Sequence, residues 1–443
     1  MKKQFLFLLF VVFCFAGTAQ NINATAEAQS EFPNANLGTI VRPLNGHEVV
    51  SYLFENGKGY FCITDVTPML VSSSPTTLSA QKIPIPFDCS VYDVRTLQDK
   101  IYFCGHKIHN GSYCGFYGYV SLVNYQFYYV HVTETSALTK LTVYLDSGQN
   151  IRLAAIGRNV ANPSWHPDVI VYADNPTSGT HQYHLIQTQG EYVHDVLLTP
   201  HYVVFVGKQG TPATEPLWIR RANRDSFMDG TLNTKYSYLY PAQEINHATY
   251  ATYIIGTPAI AVAYIHYYGS SGNNYSTRVH TINADSDMQM VASQEYLIEE
   301  KYEPTEMTFV RPAEGLVLLH NCRYDATTTS KFFVLDPFAH ANYLSYFLAH
   351  PENDFTSIHR FGTHFISTGK YFWLVQNPTM SMIMSQTYCP KAYKFDAYVL
   401  PVAERAVEIE SLRSFERNIS TEDSLSFRTT FYPFVDCIRS ATK

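Results

Sequence analysis

Five side chains hold most of the chemical potential of this chain: Asp93, His194, His247, Glu306 and His359. Each sits in a strand-like segment that opens a recurring unit. A fold gathering those segments at its centre would bring the five into one central pocket, where paired carboxyl and imidazole groups can act as general acid and base. Carboxylates paired in that way suit glycoside cleavage. Glu299, Glu300 and Glu303 crowd the approach to Glu306, and a solvated acidic loop is their plainer reading.

Familiar catalytic and metal signatures are incomplete. His47-Glu48-Val49-Val50-Ser51 begins like the zinc motif H-E-x-x-H but lacks its second histidine, and lies where a strand is expected. Gly269-Ser270-Ser271-Gly272 belongs to a hairpin turn rather than to a nucleophile elbow. Asn283-Ala284-Asp285-Ser286-Asp287 opens like a calcium loop without the glycine or closing glutamate that such a loop needs. His106 and His109 share a turn but have no third ligand. The sequence names no catalytic residue, no metal and no cofactor.

A second set is aromatic and lies in turns: His109, Tyr113, Trp165, His166, Tyr267, Tyr268, Tyr275, Tyr324 and Tyr388. Exposed rings offer stacking planes to sugars and anchors to peptides at small entropic cost. Arg323 stands beside Tyr324 in the same kind of turn.

The elements that must position both sets form an internal repeat. A short, very apolar segment ending in a polar or glycine breaker recurs as GYFCITD from Gly59, IYFCGHK from Ile101, RLAAIGRN from Arg152 and YVVFVGKQ from Tyr202. It returns as IAVAYIHYYG from Ile260, GLVLLHNCRY from Gly315 and YFWLVQNP from Tyr371. The spacing is that of propellers and arrays. Each copy follows a strand-like segment (VVSYLF, VYDVRTL, LTVYLD, HDVLLT, HATYAT, EMTFV, TSIHRF) and precedes a third, such as VIVYAD from Val169 or AYKFDAYVL from Ala392. A fourth, more polar run completes the unit, with SFRTTFYPF from Ser426 assigned to the last one. Period-two segments separated by Gly, Pro, Asn and Ser fit antiparallel meanders.

The expected fold class is all-β: a β-propeller of seven four-stranded antiparallel blades. Turns joining second to third strands share a face with the connections between blades, so the aromatic set should gather on that face. LGTIVRPL from Leu37 is expected to pair with the last blade and close the ring, and Ala403 to Asn418 to form a short helix outside it. NPSWHPDVIVYAD from Asn162 resembles the P-x-W-S-P-D-G repeat of TolB-like propellers, with His166 in the serine position and the glycine absent.

Composition bounds the rest. Met1-Lys2-Lys3, the apolar run Phe5 to Phe15 and Ala16-Gly17-Thr18-Ala19 have the order of a secretory signal peptide over residues 1–19. Residues 20–36 read as a flexible lead-in and 37–443 as a single propeller domain with a terminal closure segment. Phe13 before Cys14 disfavours lipid anchoring, and no apolar stretch reaches the roughly 20 residues of a membrane span. Removing Lys2 and Lys3 with the leader takes the formal charge from −7 to −9, and scattered basic residues argue against nucleic acid.

Export permits disulfides among the cysteines left after the leader, and Cys104 with Cys114, flanking one turn, is the expected pair. The functional expectation is a secreted bacterial protein, periplasmic, cell-surface or released. It would bind or scaffold a glycan, peptide or protein through the aromatic face, without catalysis. The alternative is a polysaccharide hydrolase or lyase with its site in the central pocket.

Overall fold

The computed structural model describes residues 24–30, 40–55, 58–67, 77–158, 169–177, 183–187, 191–209, 217–226, 234–239, 250–267, 275–297, 302–311, 316–323, 330–335, 337–338, 346–350, 357–362, 364–368, 372–376, 392–393, 398–402, 405–409, 413–415 and 424–433. Every element spanning these residues is a β-strand. The strands meander in antiparallel groups of four. One runs Ser90–Leu97, Lys100–His109, Ser112–Ser121 and Phe127–Val132; the next runs Ala137–Leu145, Ile151–Arg158, Val169–Asp174 and Tyr183–Gln187. The same order begins again at Glu191–Leu198, Tyr250–Tyr253 and Tyr302–Arg311.

The very apolar second strands owe their composition to burial on both faces. Val203, Val204, Phe205 and Val206 are all fully buried, although a strand sends successive side chains to opposite sides. Val203 and Phe205 pack with Ala154, Ile156 and Tyr172 of the preceding sheet. Val204 and Val206 pack with Ile260, Val262 and Tyr264 of the following one. Tyr102 and Cys104 likewise meet Leu153 and Ala155, while Ile101 and Phe103 turn to Val50 and Phe61. Each of these sheets is thus packed face to face against its neighbours, which is the packing of a β-propeller. Each such side chain contributes about 1.5–3 kcal/mol by leaving water.

The ends of the chain are arranged differently from the sequence expectation. The segment from Leu37 does not join the last sheet: Ile40–Pro43 pairs with Glu48–Glu55 and is the innermost strand of the first sheet. GYFCITD is therefore a third strand, Lys58–Asp65, followed by Thr77–Pro84. At the other end Ser357–Phe361, His364–Thr368 and Phe372–Gln376 form three strands, which makes YFWLVQNP a third strand as well. Their fourth partner is Ala24–Ser30, from the segment read as a lead-in. Ser424–Pro433 bridges Ala24–Ser30 and Thr77–Pro84.

The expected helix after Ala403 is also absent, since Arg405–Ile409 and Arg413–Phe415 are strands. They add to the outer strands Tyr183–Gln187 and Phe127–Val132, and Tyr398–Val402 adds to Thr234–Leu239. AYKFDAYVL therefore supplies outermost strands rather than a third one, Ala392–Tyr393 pairing with Met290–Leu297. Outer strands present unpaired N–H and C=O groups, and these added strands satisfy them. No described helix is long and apolar enough to cross a membrane.

Cys104 and Cys114 are both buried, and they are not bonded to each other. Cys104 lies opposite Tyr117 and Cys114 opposite Lys107, so a three-residue offset puts the two sulfurs on opposite faces of one sheet. That separation prevents a bridge.

Candidate functional site: a stitched centre and an aromatic rim

The inner strands carry a repeated irregularity. In Ser90–Leu97, Tyr92 is an extra residue between Val91, paired with Gly105, and Asp93, paired with Cys104. His194 is the extra residue between Val193, paired with Gly207, and Asp195; Thr139 stands likewise before Lys140, and Thr305 before Glu306. These are β-bulges, which redirect the following side chain. The recurring glycine at the end of the apolar second strand has its reason here. A Cβ on Gly105 or Gly207 would collide with the carbonyl oxygen of Ser90 or Tyr192 on the bulged strand.

The residue after each bulge turns to the centre of the ring. Asp93, 1% exposed, accepts from Val94 N at 2.9 Å and, across to the next sheet, from Leu141 N at 3.1 Å. Asp195 repeats the device with Val196 N at 2.9 Å and Ala251 N at 3.1 Å. Glu306 accepts from Ile358 N at 2.6 Å. Arg42 of the first sheet donates to Asp93 at 3.1 Å and to Glu306 at 3.0 Å, and Arg95 donates to Asp93 at 2.9 Å.

The charges regulate one another. Burial alone would raise the Asp93 carboxyl, but Arg95, Arg42 and Lys140 hold it below the ordinary carboxylate range. Burial raises Asp195, with Lys140 and the Ala251 amide opposing. Burial would lower the Lys140 ammonium, yet Asp93, Glu306 and Asp195 raise it. Burial, reinforced by Arg42 and Arg95, pushes the His359 imidazole well below its ordinary value, so it is neutral.

Around this network lies a cavity of about 580 Å³, lined by Arg42, Arg95, Lys140, Asp195, Glu306 and His359 and walled by Val143, Leu198, Met307 and Phe309. Its lining comes from the ends of inner strands that lead into their second strands: Thr96 near the Leu97–Lys100 turn, Val143 near Leu145, and Ile255 and Gly362 within such turns. The cavity therefore opens toward the face opposite the aromatic turns.

Of the five pocket residues expected, Asp93, Glu306 and His359 belong to the central assembly. His194 occupies the bulge, and its neighbour Asp195 takes the central place. His247 lies outside the described residues. Arg42, Arg95, Lys140 and Asp195 were missed because a bulge breaks the alternation from which inward positions are counted. The glycine opposite the bulge is the sequence signal that could have corrected the count.

On the turn face the second sheet presents a cluster. Tyr113, 60% exposed, meets the His106 ring edge-on at 5.0 Å, and Tyr92 OH lies 2.7 Å from His106 Nδ1. Ile108, opposite Tyr113 in the register, is 65% exposed. His109 takes the other side of the sheet, its ring tilted against His131 with centroids 4.2 Å apart, so His106 and His109 face apart and do not share a ligand. Tyr267 and Tyr275 are paired at the ends of adjacent strands. Trp165, His166, Tyr268, Tyr324 and Tyr388 lie outside the described residues. Asp285, from the calcium-like segment, is bonded to Thr199, to His201 N at 3.0 Å and to His201 Nδ1 at 2.7 Å, which ties two neighbouring sheets together.

No protein-family model and no curated protein matches the chain. Solved structures similar to it include Sqt1 from Chaetomium thermophilum, with 9% identity over 79% of this chain and 98% of that one, at a TM-score of 0.42. An uncharacterized protein from Listeria monocytogenes EGD-e is 12% identical over 77% and 89%, with a TM-score of 0.39. A chain of the mitotic checkpoint complex is 9% identical over 79% and 94%, with a TM-score of 0.37. The architecture rests on the sheet order and face-to-face packing above.

Proposed function

We propose that the protein is an exported, non-catalytic β-propeller of seven four-stranded blades that holds a peptide segment of a protein partner on its aromatic turn face. One observation carries the non-catalytic reading. Asp93, Asp195 and Glu306, the carboxylates of the central assembly, each accept hydrogen bonds from the next sheet's backbone or from buried arginine. Groups committed in this way hold sheets together and are poor acids or bases, because proton transfer would break the join.

The count of seven is supported by Ala24–Ser30 supplying a fourth strand to the last three. The partner reading is supported by Tyr92, Tyr113 and Ile108, exposed together where Lys107 sits 4.4 Å from the Tyr129 ring centroid and braces the opposite side of the same sheet. A rigid aromatic pair beside an aliphatic side chain suits an apolar peptide anchor more than a sugar ring alone.

The test is a screen of the mature protein against peptide and glycan libraries, repeated with Tyr92→Ala and Tyr113→Ala together. Peptide hits lost in the double variant support the reading; hits that are unaffected, or confined to glycans, overturn it. Export is checked separately by the mass of the secreted form, expected to begin at Gln20.

A further inference from the structure

We infer that the central cavity is a binding site for a small organic carboxylate with an apolar body, entering from the face opposite the aromatic turns. The inference goes beyond the partner surface just described and uses none of its residues.

The acids around the cavity are already engaged, whereas its cations are not all engaged. Asp93, Asp195 and Glu306 accept from arginine or backbone N–H groups. Among the described residues Arg95 donates through Nη1, to Asp93 and to Val94 O. The Lys140 ammonium and the His359 imidazole have no hydrogen-bond partner among the described residues, and both line the cavity. Lys140 is held as a cation by the field of three carboxylates, with the Tyr250 ring centroid 5.6 Å from its nitrogen. Asp93, Glu306 and Asp195 hold the charge of Lys140 from a distance without taking its N–H donors, and an anionic oxygen placed in the cavity can accept them directly.

The walls settle the rest of the ligand. Beside Lys140 and Arg95 the lining carries the apolar side chains of Val143, Leu198, Met307, Phe309 and Ile255, the last 46% exposed, with threonines such as Thr142 and Thr308 between them. Cations beside apolar side chains suit a carboxylate head on a hydrocarbon or aromatic body. The volume falls in the usual range of small-molecule sites, about 300–1,000 Å³. A cationic ligand would meet Lys140 and Arg95, and a purely apolar one would leave the ammonium unpaired.

The experiment uses the mature chain and titrates hexanoate and benzoate by calorimetry against hexanol and hexylamine, at constant ionic strength. Saturable binding of the carboxylates, weaker by about tenfold or more for the alcohol, is the expected result. Equal binding of hexanol, or no carboxylate binding at millimolar concentration, overturns the inference. Lys140→Met should abolish carboxylate binding and Lys140→Arg retain it. As a check independent of any variant, hexanoate should slow hydrogen exchange in residues 140–143 and 306–309 of the unaltered protein. Protection confined to the aromatic turns overturns the site.

Discussion

Tyr92 and Asp93 are adjacent in the chain and opposite in circumstance: one is 42% exposed on the turn face, the other 1% exposed at the centre. The bulge between Val91 and Asp93 makes the separation. Without it, strict alternation would send Asp93 to the wrong side of the strand. The same extra residue precedes Lys140, Asp195 and Glu306, so one backbone device serves two regions. It frees a side chain at the rim and drives the next into a network that joins neighbouring sheets.

The comparison breaks most readily at Asp93. Asp93→Ala takes one of two carboxylates from buried Arg42 and leaves Leu141 N without its acceptor, and should destabilise by about 3–5 kcal/mol in urea unfolding. Asp195→Asn, at a site where burial already disfavours the charge, should cost only about 1 kcal/mol. Equal costs at the two sites would show that hydrogen-bond geometry, rather than charge, joins the sheets.

Next comes the bulge itself. Gly207→Ala forces a methyl into the Tyr192 carbonyl and should cost about 1–3 kcal/mol, while exposed Gly46, with open space around it, should tolerate the same change. Thermal unfolding of the two variants compares them directly.

A smaller effect separates the central groups by pH. His359 stays neutral in the folded protein where an unfolded imidazole binds a proton, so stability should be present above about pH 6.5 and fall as pH drops below it. Asp93 is depressed, so its contribution should be lost only at lower pH, below about 3.9 as the folded carboxyl takes up its proton. His359→Gln should flatten the first limb of the stability profile and leave the second. A first limb unchanged in that variant would assign it to another group.

The smallest expected change in stability is at the rim. Tyr92→Ala should alter unfolding by no more than about 0.5 kcal/mol, because the ring lies at the exposed rim and its loss leaves no cavity in the core. A large loss there would make the aromatic cluster a cap of the core rather than a contact surface.

The middle of the chain was readable because its information is local. YVVFVGKQ, RLAAIGRN and IYFCGHK are apolar at successive positions, since both faces of each second strand are covered, and turn residues bound them. The ends were not readable in this way. Ala24–Ser30 has no apolar period and becomes a strand only because the last three strands leave an open edge. Arg405–Ile409 carries charge and aliphatic residues at spacings that suit a helix as well as a strand, and the exposed edge of Tyr183–Gln187 decides between them.

The sequence by itself determined the all-β class, the repeating apolar strands, the turn positions and the presence of Asp93, Glu306 and His359 in segments that begin each unit. Tertiary structure alone decided that Arg42 lies between Asp93 and Glu306, 264 residues from the latter, and that Asp195 replaces His194 at the centre. It also decided that the cavity and the aromatic turns open on opposite faces. Hydrophobic alternation is a property of neighbouring residues and survives in the linear pattern. Inward direction after a bulge, edge completion and charge pairing across a ring depend on partners that only folding brings together.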